Sequence, residues 1–377
     1  LYSKRCIDMK KYHFVSKNDI NDKNWDQLVN ESPDGWLYQT SSWINLANSS
    51  GSNSRSFGVL NLEGELVGVF PLYREDLNVR NIIHIKRLHT GLSGPVMSVD
   101  ISPKSRLKLW KAMFKYVDEI ALEEKVDIFQ VRLTTLSPSY LPPLRQEVNP
   151  LFHVGCIAPL SFGAIAGVVQ PLTRVLFLDK PEDQLLMEMS TNCRAAVRQA
   201  ERNGLKFIED NTIDGLKEYT RIHKESWKRT GLTPHSFKHF EDMMNSLQST
   251  NSLKLFFVEH EEQKIAAVMI HVFKNGAFYW GGCSDGGSLS LRPNNFLLWN
   301  VAKWAKCNGL QFFEIGQYYP YPTLDPKEYN VGKYKVHFGV DDLVPFEGQK
   351  IYRVKKILVL EILKSIKTML KSLLRKN

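Results

Sequence analysis

The 377-residue sequence predicts an α/β protein with mixed sheets, made of two copies of one module and a basic helical tail. Three observations carry that expectation. A strand–helix–strand pattern runs from Ala277 to Gln317, a hairpin pattern recurs in both halves of the chain, and the positive charge gathers at the end.

Ala277-Phe-Tyr-Trp-Gly-Gly-Cys-Ser284 is short, aromatic and bounded by glycines, so it reads as a strand opening into a loop. Arg292-Pro293 then leads an apolar-periodic run through Phe296, Leu297, Trp299, Val301, Ala302, Trp304 and Ala305. Proline suits the first turn of a helix, where its missing N–H has no partner to lose. Asn308-Gly309 stops that helix, and Leu310–Ile315 forms a second strand ending at Gly316. A strand, crossover helix and strand make a βαβ unit. The carboxyl edge of its sheet and the helix N-terminus flank a crevice, the leading place for an active site.

The remaining elements repeat that design. Tyr12–Val15 reads as a strand, Asn24-Trp25 enters a short helix, and Ser41-Ser42 can cap a helix over Trp43–Ala47. Phe57–Leu62 and Glu65–Leu72 flank Glu63-Gly64 as a hairpin, and Leu253–Glu259 and Ile265–Val272 form a hairpin of the same kind. Ser102-Pro103 leads a helix into Val126–Val131, as Arg292-Pro293 leads one into Leu310–Ile315. Between the modules, Ser137–Pro171 carries prolines at 138, 142, 143, 150, 159 and 171 and reads as linker and loop. Thr173–Leu178 opens the second module. A helix over Glu182–Asn203, stopped by Gly204, and another over Leu216–Trp227, ending near Gly231, follow. The expected domains are therefore 1–165, 166–345 and a tail, 346–377.

Composition narrows the class. Hydrophobic residues at 43% and charged residues at 24% are ordinary for a soluble globular chain. Five cysteines form no Cys-x-x-Cys pair, which argues against a disulfide framework or structural zinc and for a reducing, cytoplasmic setting. No signal peptide is visible in a sequence that begins at leucine. Net charge is +9, yet Lys350–Asn377 holds nine Lys/Arg against one Glu, leaving a near-neutral body and little footprint for nucleic acid. In that tail Ile351, Val354, Leu358, Ile362, Ile366, Met369 and Leu373 recur at helical spacing, with Lys355, Lys356, Lys364, Lys367, Lys371 and Arg375 mostly off the stripe. Such a helix either docks on the body or lies on an anionic membrane, at its inner face.

Asn192-x-Arg194-x-x-Val197-Arg198-x-Ala200-Glu201-Arg202-x-Gly204 resembles a helix of the FemAB-like transferases of the GNAT superfamily. Trp227–Gly231, Ile265–Ala267, Pro293 before Leu298-Trp299, Phe313–Gly316 and Gly332–Gly339 resemble that family's later landmarks, so the likeness covers roughly residues 36 to 345. The resemblance implies two tandem GNAT-like domains and transfer of an acyl or aminoacyl group to an amine of a cell-envelope precursor, peptidoglycan or polysaccharide. It implies acyl-coenzyme A or aminoacyl-tRNA as co-substrate, with no tightly bound cofactor. Two positions depart from the pattern. Arg292-Pro-Asn-Asn lacks the glycines of a coenzyme A pyrophosphate loop, and Ala47 stands where a phosphate-binding lysine is common. A catalytically inactive GNAT-like assembly module is the alternative.

Amide formation needs a neutral amine, a route for its proton and a cation or donor for the developing oxyanion. Lys335 is the candidate for charge stabilisation, against a solvated strand lysine. Glu314 and Asp285 are the available carboxylates, although Glu314 alternates with Phe313 and Ile315 and can simply face outward. The Asp285 loop is rich in glycine, so turn chemistry alone would explain its aspartate. Tyr279 and Tyr318 can serve as acids to the leaving group, and Tyr334 and Trp280 can stack on substrate. Arg194 and Arg198, one helical turn apart, can grip phosphate or carboxylate of the acceptor, and Arg292 a donor phosphate. His235 and His239 have the spacing of a helical metal pair, but no H-E-x-x-H motif accompanies them and no metal is expected. No Gly-x-Ser-x-Gly nucleophile is present, which favours direct transfer.

Overall fold

The computed structural model describes residues 11–79, 83–159, 172–318 and 334–360, with 362, 363 and 366 beyond them. It divides into two units, Leu1–Val169 with Pro345–Asn377, and Gln170–Val344.

The first unit begins with β1 (His13–Ser16), α1 (Asp22–Glu31) and α2 (Ser41–Ser49). Thr40, rather than Ser41 or Ser42, caps α2, its hydroxyl accepting from the Trp43 amide at 3.3 Å. Strands β2 (Asn53–Ser54), β3 (Phe57–Leu60), β4 (Leu66–Phe70), β5 (Tyr73–Val79), β6 (Ile83–His89) and β7 (Val96–Met97) precede α3 (Pro103–Glu123) and β8 (Ile128–Arg132). The expected hairpin is β3–β4, antiparallel, with Phe57 opposite Phe70. Ser102 caps α3 and Pro103 occupies its first turn, and the helix carries the chain over to β8, parallel to β6. Leu109, Met113, Phe114 and Val117 of α3 are wholly buried with Phe70, Leu88 and Phe129. Each such side chain contributes roughly 1.5–3 kcal/mol by leaving water.

The second unit holds β9 (Leu172–Phe177), α4 (Glu182–Glu188), α5 (Thr191–Arg202), β10 (Lys206–Glu209), α6 (Ile213–Thr230) and α7 (Phe237–Gln248). After them come β11 (Leu253–His260), β12 (Gln263–Phe273), β13 (Gly276–Ser284), α8 (Pro293–Cys307), β14 (Phe312–Tyr318) and β15 (Asp341–Leu343). The seven strands form one sheet in the order β10-β11-β12-β13-β14-β9-β15. β13 and β14 are parallel, joined through α8, which is the βαβ unit the sequence indicated. The single helix expected over 182–203 is instead two. Met189 is extended and the Ser190 hydroxyl caps α5, accepting from the Cys193 amide at 3.2 Å. The second strand of the βαβ unit also runs past Gly316 to Tyr318, because Gly316 at φ +90 passes through a bulge rather than ending it.

The tail is not one helix from 346. Glu347–Ile351 forms β16, antiparallel to β8, and completes the first unit's sheet β16-β8-β6-β5-β2 beside the sheet β1-β3-β4-β7. A helix follows over 354–360 and continues at 362, 363 and 366. Ile357 and Leu360 are its buried residues, packed with Ile85 and Ile128. The expected stripe of Val354, Leu358, Ile362 and Ile366 is exposed, and Met369 and Leu373 lie outside the described residues. The segment after 345 thus belongs to the first unit instead of forming a separate domain. Among the described residues, no helix is long and apolar enough to cross a membrane.

Candidate active site

The second unit's sheet opens at one place. β13 and β14 pair through Gly276↔Phe312, Ala277↔Phe313 and Phe278↔Glu314, and the pairing ends there. Beyond it β13 stays with β12 and β14 with β9, so two parallel strands part at their carboxyl ends. Two irregularities accompany the parting. Trp280 is the extra residue of a bulge against Met269 and Ile270, and a second bulge falls between Glu314 and Gly316. Bulges re-aim side chains and end pairing, so the opening is built into both strands.

Lys335 enters this opening from a helical turn, not from the strand that the sequence suggested, and it is buried rather than solvated. Its Nζ lies 4.8 Å from the centre of the Tyr279 ring. Gly316 makes room for it, because a Cβ there would come within 2.7 Å of that nitrogen. Burial pushes the Lys335 ammonium down to about 8, with the Glu314 carboxylate acting against that lowering and Arg174 adding to it. At neutral pH the group is charged in a dry setting, where its field is screened far less than in water.

Glu314 is only 2% exposed, so the outward-facing alternative fails. Its carboxylate accepts a hydrogen bond from the Thr173 hydroxyl of β9. The neighbouring Arg174 is also buried, pairs with Asp342 at 3.2 Å and lies 3.8 Å over the Tyr318 ring. Tyr318 donates to Asp342 at 2.6 Å. Sequence reasoning missed Thr173, Arg174 and Asp342. The available signal was a single arginine in the otherwise apolar Thr173–Leu178 strand, since a buried cation implies a partner.

Tyrosines complete the cluster. Burial raises the Tyr279 and Tyr334 hydroxyls above the ordinary tyrosine value, so both stay protonated. Tyr334 packs edge-on to Phe338 at 5.4 Å, and its buried hydroxyl has no partner among the described residues. Gln317 Nε2 and Arg174 Nε share that condition.

Five expected site residues lie elsewhere. Trp280 stacks on the buried His271 at 4.7 Å. Asp285 accepts from the Ser288 hydroxyl at 2.7 Å and the Gly287 amide at 3.2 Å, and those bonds, the first above all, lower its pKa. It is a turn carboxylate and a weak base. Arg194 donates to the carbonyls of Met187, at 2.9 Å, and Met189, fixing the end of α4 instead of facing a substrate. Arg198 is exposed on α5, one turn further on.

Arg292 caps α8 in a left-handed conformation at φ 64, with Pro293 next. It lines a pocket of about 410 Å³ with Asn192, Gln199, Asn295 and His337. The first helical N–H groups are natural anion donors, but here they follow proline without a glycine turn. His235 and His239, rings 4.4 Å apart, stack with His223 between α6 and α7, and no metal-binding group of three or more His, Cys, Asp or Glu occurs among the described residues.

Residues 188–323 match the family model described as an acetyltransferase (GNAT) domain. The lipid II:glycine glycyltransferase of Staphylococcus epidermidis is 24% identical over 253 residues, covering 67% of this chain and 57% of that protein. The Staphylococcus aureus protein of the same name is 26% identical over 259 residues, 67% of this chain and 58% of its own length. Among solved structures, FemX superposes with a TM-score of 0.69 at 16% identity, over 93% of this chain and all of that one. In sequence and fold the chain resembles the FemAB-like proteins of the GNAT superfamily. A tandem GNAT protein from the clavulanic acid biosynthesis pathway shares the fold at a TM-score of 0.51 and 10% identity, over 90% of this chain and 98% of that one. The GNAT match takes in β13, α8 and β14 and stops short of Lys335. The chain spans less than two thirds of the glycyltransferases it matches.

Proposed function

We propose that the protein transfers an acyl group, in the first place an aminoacyl group, from an activated ester or thioester to an amine on a cell-envelope precursor. The observation that carries this reading is the Lys335 ammonium, buried where β13 and β14 part and drawn down to about 8. A cation held there suits the oxyanion of a tetrahedral intermediate and costs no reorganisation as charge develops. Tyr279, against the same ammonium, is a protonated acid for the leaving oxygen or sulfur. Glu314 supports the lysine and is the carboxylate closest to a base role. The catalytic set is then Lys335, Tyr279 and Glu314, with Arg174, Thr173 and Gly316 positioning them.

For the donor, the glycine-free start of α8 favours an aminoacyl ester carried on tRNA over acyl-coenzyme A. The names of the staphylococcal relatives point to lipid II as acceptor and glycine as the group moved. Here we take the acceptor as a peptidoglycan or polysaccharide intermediate bearing a primary amine, met by a cytoplasmic enzyme at the inner face of the membrane. The test is incubation with radiolabelled aminoacyl-tRNA or acyl-coenzyme A and amine-bearing muropeptide precursors. Label in the acceptor supports the reading. Retention of all label on the donors, with donor binding intact, favours a GNAT-like module that recognises envelope intermediates without chemistry.

A further inference from the structure

The helix that follows β16 has two apolar faces, and only one of them is covered. Ile357 and Leu360 are buried against Ile85 and Ile128. On the same side Arg353 and Lys356 pair with the fully buried Asp127, at 3.6 and 2.7 Å. These contacts hold the helix to the first unit. On the other side Val354 is 55% exposed, Leu358 37%, Val359 50%, Ile362 53%, Leu363 40% and Ile366 46%. At 100° per residue these six span one half of the helix, and Ile357 and Leu360 project from the other. A terminal helix that served only as packing would present its second face as polar.

We infer that this bare face lies in an anionic membrane surface, with Ile357, Leu360 and the Asp127 pairs fixing the protein to the inserted helix. Charge selects the occupant. Of the nine Lys/Arg between Lys350 and Asn377, Lys350 pairs with Asp118, and Arg353 and Lys356 with Asp127. Against the other six, of which Lys355 is exposed, the sequence of the segment sets a single acidic residue, Glu361. A second protein chain would cover the apolar face equally well but gives no reason for so many cations in the same stretch of sequence. Anionic headgroups give that reason, each lysine near such a surface strengthening binding roughly fivefold. The inference extends the reading of a membrane-borne acceptor. It is measured by binding alone, so either can fail without the other.

The experiment is flotation of the full chain with phosphatidylglycerol-containing and pure phosphatidylcholine vesicles, at low and high salt. The parent protein is expected to float with the anionic vesicles at least tenfold more than with the neutral ones, and to be released by salt. The double variant Leu358→Asn with Ile362→Asn removes exposed side chains, so its thermal midpoint should match the parent's while its flotation falls severalfold. Lys355→Gln should weaken binding about fivefold. Equal flotation of parent and double variant overturns the inference. So does a concentration-dependent dimer that the double variant abolishes while vesicle binding stays absent, because the face is then a contact between copies.

Discussion

Replacing Lys335 with methionine separates its proposed catalytic part from its structural one. The side chain is buried, and its ammonium lies at about 8 instead of the ordinary 10.5. That lowering corresponds to about 3 kcal/mol for holding the charge in this site. Lys335→Met removes the cost, at the expense of leaving Glu314 without its cation, so the thermal midpoint should hold or rise. Loss of the oxyanion partner should lower kcat/KM by about a hundred- to a thousandfold. The pH profile carries a second signature. Lys335 is charged below about 8 and neutral above it, so an activity that needs the cation declines as pH rises through that value. Stability moves the other way. The unfolded chain holds this proton up to the ordinary lysine range, so stability increases with pH between about 8 and 10.5. Lys335→Arg keeps its charge throughout and should retain part of the activity with no decline near 8. The assay is initial-rate transfer across pH with the thermal midpoint of each variant. A methionine variant within threefold of the parent, or a parent profile flat to about pH 9.5, refutes the reasoning.

Gly316→Ala adds a methyl at φ +90, within 2.7 Å of Lys335 Nζ. It should cost about 1–2 kcal/mol in stability and cut kcat by displacing the ammonium, as read from thermal melts beside rates. Glu314→Gln removes the carboxylate that supports the Lys335 charge, so the alkaline decline should shift to lower pH; an unmoved decline would separate the two groups. If the acceptor extends to the exposed Arg198 on α5, Arg198→Ala should raise the acceptor KM roughly tenfold with donor affinity nearly intact, and lysine should rescue it only partly; unchanged KM values place the acceptor elsewhere. Arg194→Ala should instead lower the thermal midpoint, because its guanidinium holds the carbonyls at the end of α4. Steady-state kinetics in both substrates and melting curves check the pair.

Much of the fold was legible because its signals are local. Pro103 and Pro293 mark helix starts, alternating apolar runs mark both hairpins, and each crossover helix falls between parallel strands. The break at Met189-Ser190 was missed because periodicity continues through it, and only the Ser190 cap marks the new helix. The tail misled for a related reason. Its sequence holds two apolar stripes, and the regular one is bare while the shorter Ile357–Leu360 pair docks. At the candidate site, the sequence singled out Lys335, Glu314 and Tyr279 but not what brings them together. That depends on bulges at Trp280 and Ile315 and on Thr173 and Arg174, which reach the same place from a strand over a hundred residues away. Arg194 and Asp285 were named by residue type, and their hydrogen-bond partners are backbone and turn groups visible only in the fold.

The most direct test is a mass measurement of the acceptor after reaction with each donor. Purified protein is incubated with amine-bearing muropeptide precursors, together with aminoacyl-tRNA or acyl-coenzyme A, alongside the Lys335→Met variant. The account predicts one new amide on the precursor amine, formed from the aminoacyl ester, by the parent protein and at most at trace level by the variant. An unchanged acceptor mass with every donor, or equal product from both proteins, would contradict it.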